Sequence, residues 1–430
     1  MRILFTVHKL PPESLGGTEI YTRSLARMVA ALGHEVAIFA PSTAVDRPTT
    51  FADQDGVILH RVPAAAPSEN VAAQFWHTFR NQRFERAFRA TLTEFRPDVV
   101  HFQHVQGVSA RMIALAHGVP RLATLHDYWY FCANSQLVRP DRSPCSGPSA
   151  GCRNCVDCAT ARADLAPLRM LRPVVALPLD YRNRVLRALT AQIDRFFAPS
   201  AFLRDRYVEQ GFPAERMRVI ENGMDLARLT AARDIQSETA LFPRPHFGFL
   251  GTLAWQKGAH VLVDAFNRLP PEIGSLFVYG SDSAFPEYAA ALHTAIEHPN
   301  VRISPPVAYD DVGSVLRSFD ALVVPSLWYE NSPLVIQEAY AVGVPVIASR
   351  LGALIEKVEE KRTGRLFTAG NSAELAEVLL TLCHHPELLA AYHLQLPRPP
   401  SMEEHSRELL AEYAQLFTAR KSKSAAAGKR

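Results

Sequence analysis

The 430-residue sequence predicts an α/β chain of two doubly wound, Rossmann-like domains, each a parallel sheet with helices on both faces, facing one another across a cleft. Three observations predict it. The length is about two to four times that of a typical domain of roughly 100 to 200 residues. Short β-branched or aromatic runs alternate with helical patterns through both halves. Residues 221–244 interrupt them with Asn, Gly, Pro and polar residues, as an inter-domain connection would.

Residues 2–7 (RILFTV) open the chain as a strand, and Gly16-Gly17 follow a Pro-containing loop. From Thr18, the positions Tyr21, Leu25, Met28, Val29 and Leu32 recur at helical spacing, and Gly33 supplies the stop. Residues 35–40 return to strand. Residues 98–105, 121–126 and 195–200 read as further buried strands separated by helical patterns, which calls for a parallel sheet covered on both faces. A second series runs through residues 247–251, 276–280, 321–326 and 345–349. The expected layout is therefore a first domain over 1–230 with a Cys-rich loop at 132–158, a second over 240–400, a helix over 401–420, and a disordered basic tail over 421–430. Ligands of open α/β sheets bind beyond the carboxyl ends of the strands, so the site is expected to draw on both domains.

Composition narrows the function. At 48% apolar and 21% charged, the chain can bury a core and is not disordered. The formal net charge is +3, but Arg420, Lys421, Lys423, Lys429 and Arg430 supply five positive charges with no acid nearby, so the body is close to neutral. That argues against a nucleic-acid binder. No run approaches the roughly 18 to 20 apolar residues of a membrane span. The opening apolar run is too short for a secretory signal, so a cytoplasmic location is expected.

Several groups could carry chemistry. Gly16-Gly17, between strand and helix, forms either a phosphate-binding turn or a plain tight turn. In the second half, Lys257 lies in a strand-to-helix turn ending at Gly258, as a phosphate-binding cation or a solvated one. In the segment PSLWYENSPLVIQEA, Ser332 is an N-cap candidate with Pro333 at the first helical position. Glu330 lies just ahead of that helix and Glu338 almost two turns into it. Two carboxylates flanking free helix amides suit sugar hydroxyls and phosphate; a capped surface helix with incidental acids is the bland reading.

The Glu330-x7-Glu338 pair, the Gly-rich turn after the first strand, His126-Asp127 after a strand, Asn222-Gly223 and the turn from Gly251 to Gly258 stand in one order along the chain. In that order the sequence resembles the family 4 retaining glycosyltransferases of GT-B fold over nearly its full length. The resemblance implies a nucleotide-sugar donor, no metal required for transfer, and a glycan or lipid-linked saccharide acceptor. It also implies roles. Gly16 and Gly17 approach the donor diphosphate, His126 borders the donor sugar, Lys257 steadies the leaving phosphates, Glu330 binds sugar hydroxyls and Glu338 the ribose. Asn222, Gly223, Asn331, Ser332 and Leu334 complete the donor-binding set. One departure stands out: family members commonly carry an arginine just after the first glycine of the turn, and this chain has Thr252.

The expected function is thus a cytoplasmic retaining hexosyltransferase of polysaccharide biosynthesis, with peripheral contact at the inner membrane face. Rival readings are a sugar-nucleotide epimerase or hydrolase, and a non-catalytic nucleotide-sugar binder. Arg80, Arg83, Arg86 and Arg89, interleaved with Phe79, Phe84 and Phe88, could rest on anionic lipid or form a surface helix with its aromatics turned inward. Asp53-Gln54-Asp55 spells a metal-binding D-x-D but reads as a hairpin turn before a short strand. Cys145, Cys152, Cys155 and Cys158, spaced C-x6-C-x2-C-x2-C, are expected to hold a structural zinc, with an iron–sulfur cluster, unligated thiols and a disulfide as alternatives.

Overall fold

The computed structural model describes residues 1–14, 16–64, 71–231 and 241–427. The chain divides into two compact units: Met1–Gly223 joined by Met402–Arg430, and Met224–Ser401.

The first unit is built on eight strands: β1 (Arg2–Thr6), β2 (Glu35–Ser42), β3 (Thr49–Ala52), β4 (Ile58–Pro63), β5 (Val99–Phe102), β6 (Arg121–Thr124), β7 (Arg195–Ala198) and β8 (Met217–Val219). Their order is β3-β4-β2-β1-β5-β6-β7-β8, parallel except for the antiparallel β3 at the edge. Ile3, Leu4 and Phe5 of the central β1 are all fully buried, because both faces are covered. The helix Gly17–Ala31 lays Tyr21, Leu25, Ala26 and Val29 on that sheet. Asp53 Oδ1 accepts from the amides of Asp55 and Val57 at 3.0 and 2.9 Å, so the D-x-D motif is the β3–β4 hairpin turn. Helix Gln82–Phe95 and the turn before it bury Phe79, Phe84 and Phe88 and expose Arg80, Arg83, Arg86 and Arg89.

The second unit carries β9 (His246–Leu250), β10 (Ser275–Tyr279), β11 (Val301–Ser304), β12 (Ala321–Val324), β13 (Val346–Ser349) and β14 (Gly364–Phe367). Their order is β11-β10-β9-β12-β13-β14, all parallel. Ala321 and Val323 pack into one core, Leu322 and Val324 into another, so the alternating side chains of β12 feed both faces of the sheet.

Two expectations need correction. The first domain ends at Gly223, and residues 224–231 belong to the second unit. Helix Leu226–Thr230 lies so close to helix Val312–Arg317 that a Cβ on Gly313 would stand 2.0 Å from the Leu229 carbonyl oxygen, and Arg317 donates to the carbonyls of Leu229 and Ala231 at 2.7 and 2.8 Å. Of the expected connection at 221–244, residues 232–240 lie outside the described residues. The chain leaves the second unit at Ser401, beside Met224, whose amide donates to Pro400 at 2.9 Å.

The basic tail is also not disordered from 421: the last helix runs Met402–Ala427, because a stretch rich in Lys, Ala and Arg continues it without a breaker. Residues 428–430 lie outside the described residues. This helix packs on the first unit, where Met402, Leu409 and Tyr413 join the core containing Ile3 and Phe5. The Tyr413 hydroxyl meets His101 Nδ1 at 2.5 Å, the Tyr21 hydroxyl meets His405 Nε2 at 2.7 Å, and His101 Nε2 meets the Thr124 hydroxyl at 2.8 Å. Burial holds the His101 imidazole well below its ordinary pKa, so both ring nitrogens bond to hydroxyls as a neutral ring. No helix among the described residues is long and apolar enough to cross a membrane.

Removing the Tyr413 ring in Tyr413→Ala should cost about 3–5 kcal/mol of stability. Tyr413→Phe, which only strands a buried imidazole nitrogen, should cost about 1–3 kcal/mol. Urea unfolding of both variants measures this, and an unchanged midpoint for Tyr413→Phe would remove the hydroxyl–imidazole contact as a stabilising feature.

Candidate active site

In the second unit the chain leaves β9, forms one 3-10 turn over Trp255–Lys257, and enters helix Ala259–Phe266. Gly258 between them sits at φ 74°, and a Cβ there would lie 1.9 Å from the Pro325 carbonyl oxygen. Glycine alone permits this approach. The Leu327 amide, donating to Gln256 at 2.8 Å, joins the two loops. Lys257 Nζ thereby comes within 2.7 Å of Glu330 Oε1.

The same Glu330 oxygen accepts from Ser326 Oγ at 2.8 Å and Trp328 Nε1 at 2.9 Å. Glu330 is buried, and burial pushes its carboxyl up. The Lys257 charge and the hydrogen bonds from Lys257, Ser326 and Trp328 outweigh that and hold the pKa below the ordinary value. Glu330 Oε2 takes no part in these three bonds.

The following helix spans Leu334–Ala341. Ser332 does not cap it: Pro333 takes the cap position with ψ 110°, so the helix starts one residue later than expected and Ser332 is out of reach of its first amides. Ser332 Oγ and Gln256 Oε1 are buried with no hydrogen-bond partner among the described residues. Both are polar atoms to which a ligand could bond. Asn331 and Leu334 are partly exposed beside them. Glu338 lies farther along, its Oε1 3.2 Å from Arg228 Nη2. Arg228 stacks 3.7 Å above the Tyr309 ring and donates to the Tyr309 carbonyl. Burial raises the Glu338 carboxyl, with Arg228 opposing.

The remaining expected residues lie in the first unit. Past the end of β6, His126 Nε2 meets Gln103 Oε1 at 2.9 Å, and its ring packs edge-on to Tyr21 at 5.2 Å. Burial, reinforced by His104, pushes His126 down to about 3, so the imidazole is neutral. Gly16 is the extended N-cap of helix Gly17–Ala31, and the buried Glu19 stands in its first turn, 3.7 Å from His8 Nε2 and accepting from Ser14 at 3.0 Å. The chain's own carboxylate thus occupies the helix end at which Gly16-Gly17 were expected to meet phosphate. Asn222 and Gly223 are buried at the end of the unit.

The structure therefore brings Lys257 to Glu330 and places Glu338 in the helix that follows, all within the second unit, while Gly16, Gly17, His126, Asn222 and Gly223 belong to the first. Sequence reasoning missed Arg228, Ser326 and Trp328. Asp225 accepts from the Arg228 amide at 3.0 Å and caps Leu226–Thr230, and an aspartate directly after Asn222-Gly223-Met224 is a helix-start signal that could have drawn attention to Arg228.

Two family models match the chain: "Glycosyltransferase Family 4" over residues 15–228 and "Glycosyl transferases group 1" over residues 244–385. The chain belongs to glycosyltransferase family 4. A D-inositol 3-phosphate glycosyltransferase of Arthrobacter sp. (strain FB24) is 26% identical across 90% of this transferase and 87% of its relative. Among solved structures, sucrose-phosphate synthase from Thermosynechococcus elongatus superimposes with a TM-score of 0.73 at 20% identity, covering 97% of this chain and 99% of the other. HepE of Anabaena, solved in complex with UDP and glucose, gives 0.66 at 18% identity, covering 97% and 100%. The transferase has the GT-B fold of such enzymes.

The cysteine loop of the transferase differs from expectation. Cys132, which the spacing motif omitted, lines a cavity of about 60 Å³ with Cys145, Cys155 and Cys158. Cys152 is instead buried with Val156, Ala176 and Leu179, its sulfur accepting from Asn183 Nδ2 at 3.4 Å. The other thiols donate to nearby oxygens: Cys132 to Asn134 at 2.7 Å, Cys145 to Gly147 at 3.7 Å, Cys155 to Asn154 at 3.5 Å and Cys158 to Val138 at 3.8 Å. Burial and the neighbouring thiols push Cys158 up to about 11. All six cysteines are free, and among the described residues no group of three or more His, Cys, Asp or Glu is placed to hold a metal ion. The expected zinc set of Cys145, Cys152, Cys155 and Cys158 is therefore not gathered into one metal-binding group among the described residues: Cys152 packs against the helix that carries Ala176 and Leu179, and Cys132 stands at the cavity in its place.

The transferase's two site carboxylates should tilt stability in opposite senses with pH. The folded state binds the Glu338 proton above the ordinary value of 4.5, so stability falls as pH rises through that window. Glu330 releases its proton below 4.5, so its contribution is lost as pH falls through its lowered pKa. Unfolding midpoints across pH should lose the first slope in Glu338→Gln and the second in Glu330→Gln; identical slopes in all three proteins would contradict both assignments. Gly258→Ala should force the two loops apart and lower the unfolding midpoint as well as donor affinity, measured by calorimetry.

Proposed function

We propose that the transferase moves a sugar from a nucleoside-diphosphate donor, with retention of anomeric configuration, to a glycan or lipid-linked saccharide, working in the cytoplasm at the inner face of a membrane. The Lys257–Glu330 pair, in loops leaving the carboxyl ends of β9 and β12, carries the reading. Breaking the sugar–phosphate bond leaves negative charge on the diphosphate, and a preorganised ammonium there stabilises that charge as it develops. Lys257 supplies it. Glu330, ionised and fixed through one oxygen, offers the other to sugar hydroxyls. Glu338, steadied by Arg228, accepts from the ribose hydroxyls.

Asn331, Ser332 and Leu334 line the start of the helix between these carboxylates, where amides without intrahelical partners suit phosphate. The neutral His126 can share a hydrogen bond with a sugar hydroxyl but cannot supply charge. Gly16 and Gly17 keep a lesser part in phosphate binding, since Glu19 repels an anion at that helix end, and Asn222 and Gly223 support the donor set through their backbone. Thr252 brings no charge where the family resemblance implies an arginine, which leaves the leaving group chiefly to Lys257. A relative of the same fold solved with UDP and glucose supports a nucleoside diphosphate as the donor's leaving half.

A thermal-shift panel of nucleoside diphosphates and their sugars tests donor binding, because a ligand at 100 times its dissociation constant stabilises by about 2.7 kcal/mol. With a donor identified, Lys257→Ala and Glu330→Gln should each cut kcat by about a hundredfold or more. Turnover near wild type in either variant would remove the assigned site.

A further inference from the structure

The helix Arg172–Thr190 turns apolar side chains both ways. Its inner face buries Ala176, Leu179, Leu186 and Leu189. Its outer face should be polar in a helix that meets only water, yet Val174, Leu177 and Tyr181 stand 60%, 66% and 51% exposed at helical spacing. The short 3-10 helix Ala166–Leu171 leads into it and extends the same character, with Leu168 and Leu171 exposed and Met170 91% exposed. Trp76, 53% exposed, belongs to the same face, because the Phe79 ring packs edge-on against both Trp76 at 5.3 Å and Tyr181 at 5.7 Å. A contiguous exposed apolar surface of this kind marks an interaction site.

The charge around it selects the partner. Residues 162–187 hold six arginines, five of them outside the core and only Arg182 buried, against two aspartates and no lysine or glutamate. Arg162, Arg169, Arg172 and Arg184 are exposed beside the apolar residues, Arg169 and Arg172 sharing Asp157 and Arg184 pairing with Asp180, and Arg80 and Arg83 lie exposed near Trp76. Long cationic stems around an apolar centre, with Trp and Tyr among the exposed groups, fit the interface of a bilayer, where the rings sit at headgroup depth and the guanidiniums meet lipid phosphates. A second copy fits poorly, since a two-fold pairing would press one arginine rim on another.

We propose that this face docks the transferase on a membrane surface rich in anionic lipid. Docking deepens the proposed function by naming the surface on which its acceptor would be met; it rests on that reading only for its purpose, and binding to lipid is measurable without turnover. The full chain should co-sediment with vesicles of phosphatidylcholine and phosphatidylglycerol, far less with phosphatidylcholine alone, and less in high salt. Val174→Asp combined with Leu177→Asp, both exposed and outside the donor site, should weaken vesicle binding by about tenfold or more at an unchanged unfolding midpoint. Arg169→Glu with Arg184→Glu should act in the same direction.

No binding by the wild type, equal binding by the variants, or a solution dimer that the double aspartate variant converts to monomer would overturn the proposal. A UDP thermal shift separates the two questions. Retained in the variants, it keeps the donor site while vesicle binding is judged; absent from every protein that binds vesicles, it removes the UDP donor reading and leaves the docking surface standing.

Discussion

A carboxylate taken out of water must be matched by charge and hydrogen bonds, and the active region of this transferase is arranged around that requirement at Glu330. One Glu330 oxygen receives Lys257, Ser326 and Trp328. To deliver Lys257, the loop after β9 must touch the loop after β12, which requires the missing side chain of Gly258 and brings the Gln256 carbonyl to the Leu327 amide. The pair is held by the unit's own loops. In the proposed reaction, an ammonium already oriented would need little reorganisation as charge develops on a leaving phosphate, the circumstance in which electrostatic stabilisation is most effective.

In the first unit, a histidine takes the comparable place. His101 is fully buried and neutral, with Tyr413 of the final helix on one ring nitrogen and Thr124 of β6 on the other. The final helix, some 180 residues beyond this unit's preceding segment, is thereby specified by polar contacts as well as by Leu409 and Met402 in the core. Apolar burial alone would tolerate sliding of the helix; two buried hydroxyl–imidazole contacts, at His101 and His405, define its register.

The cysteine loop braces a helix. Cys152 and Val156 pack beneath Ala176 and Leu179, so the inner face of Arg172–Thr190 is secured from within the unit. Its outer face is left apolar and rimmed with arginine. A helix held so firmly on one side cannot rotate to hide Leu177 and Val174, and their exposure is a property of the fold.

The sequence by itself determined the alternation of strand and helix, the two parallel sheets, the β3–β4 turn at Asp53-Gln54-Asp55, and the pairing of Glu330 with Glu338 on one segment. Each is written in neighbouring residues: strands buried on both faces read as continuous apolar runs, and turns and helix spacings repeat within a few positions. Tertiary structure alone decided that Lys257 reaches Glu330 across 73 residues, that Arg228 reaches Glu338 across 110, and that Tyr413 reaches His101 across 312. It also set Cys132 in place of Cys152 at the thiol-lined cavity, and it started a helix one residue past Ser332. These depend on the path of loops in space. Local periodicity carries no record of that path, because which distant group neutralises a buried charge is settled only when the strands that carry them stand side by side.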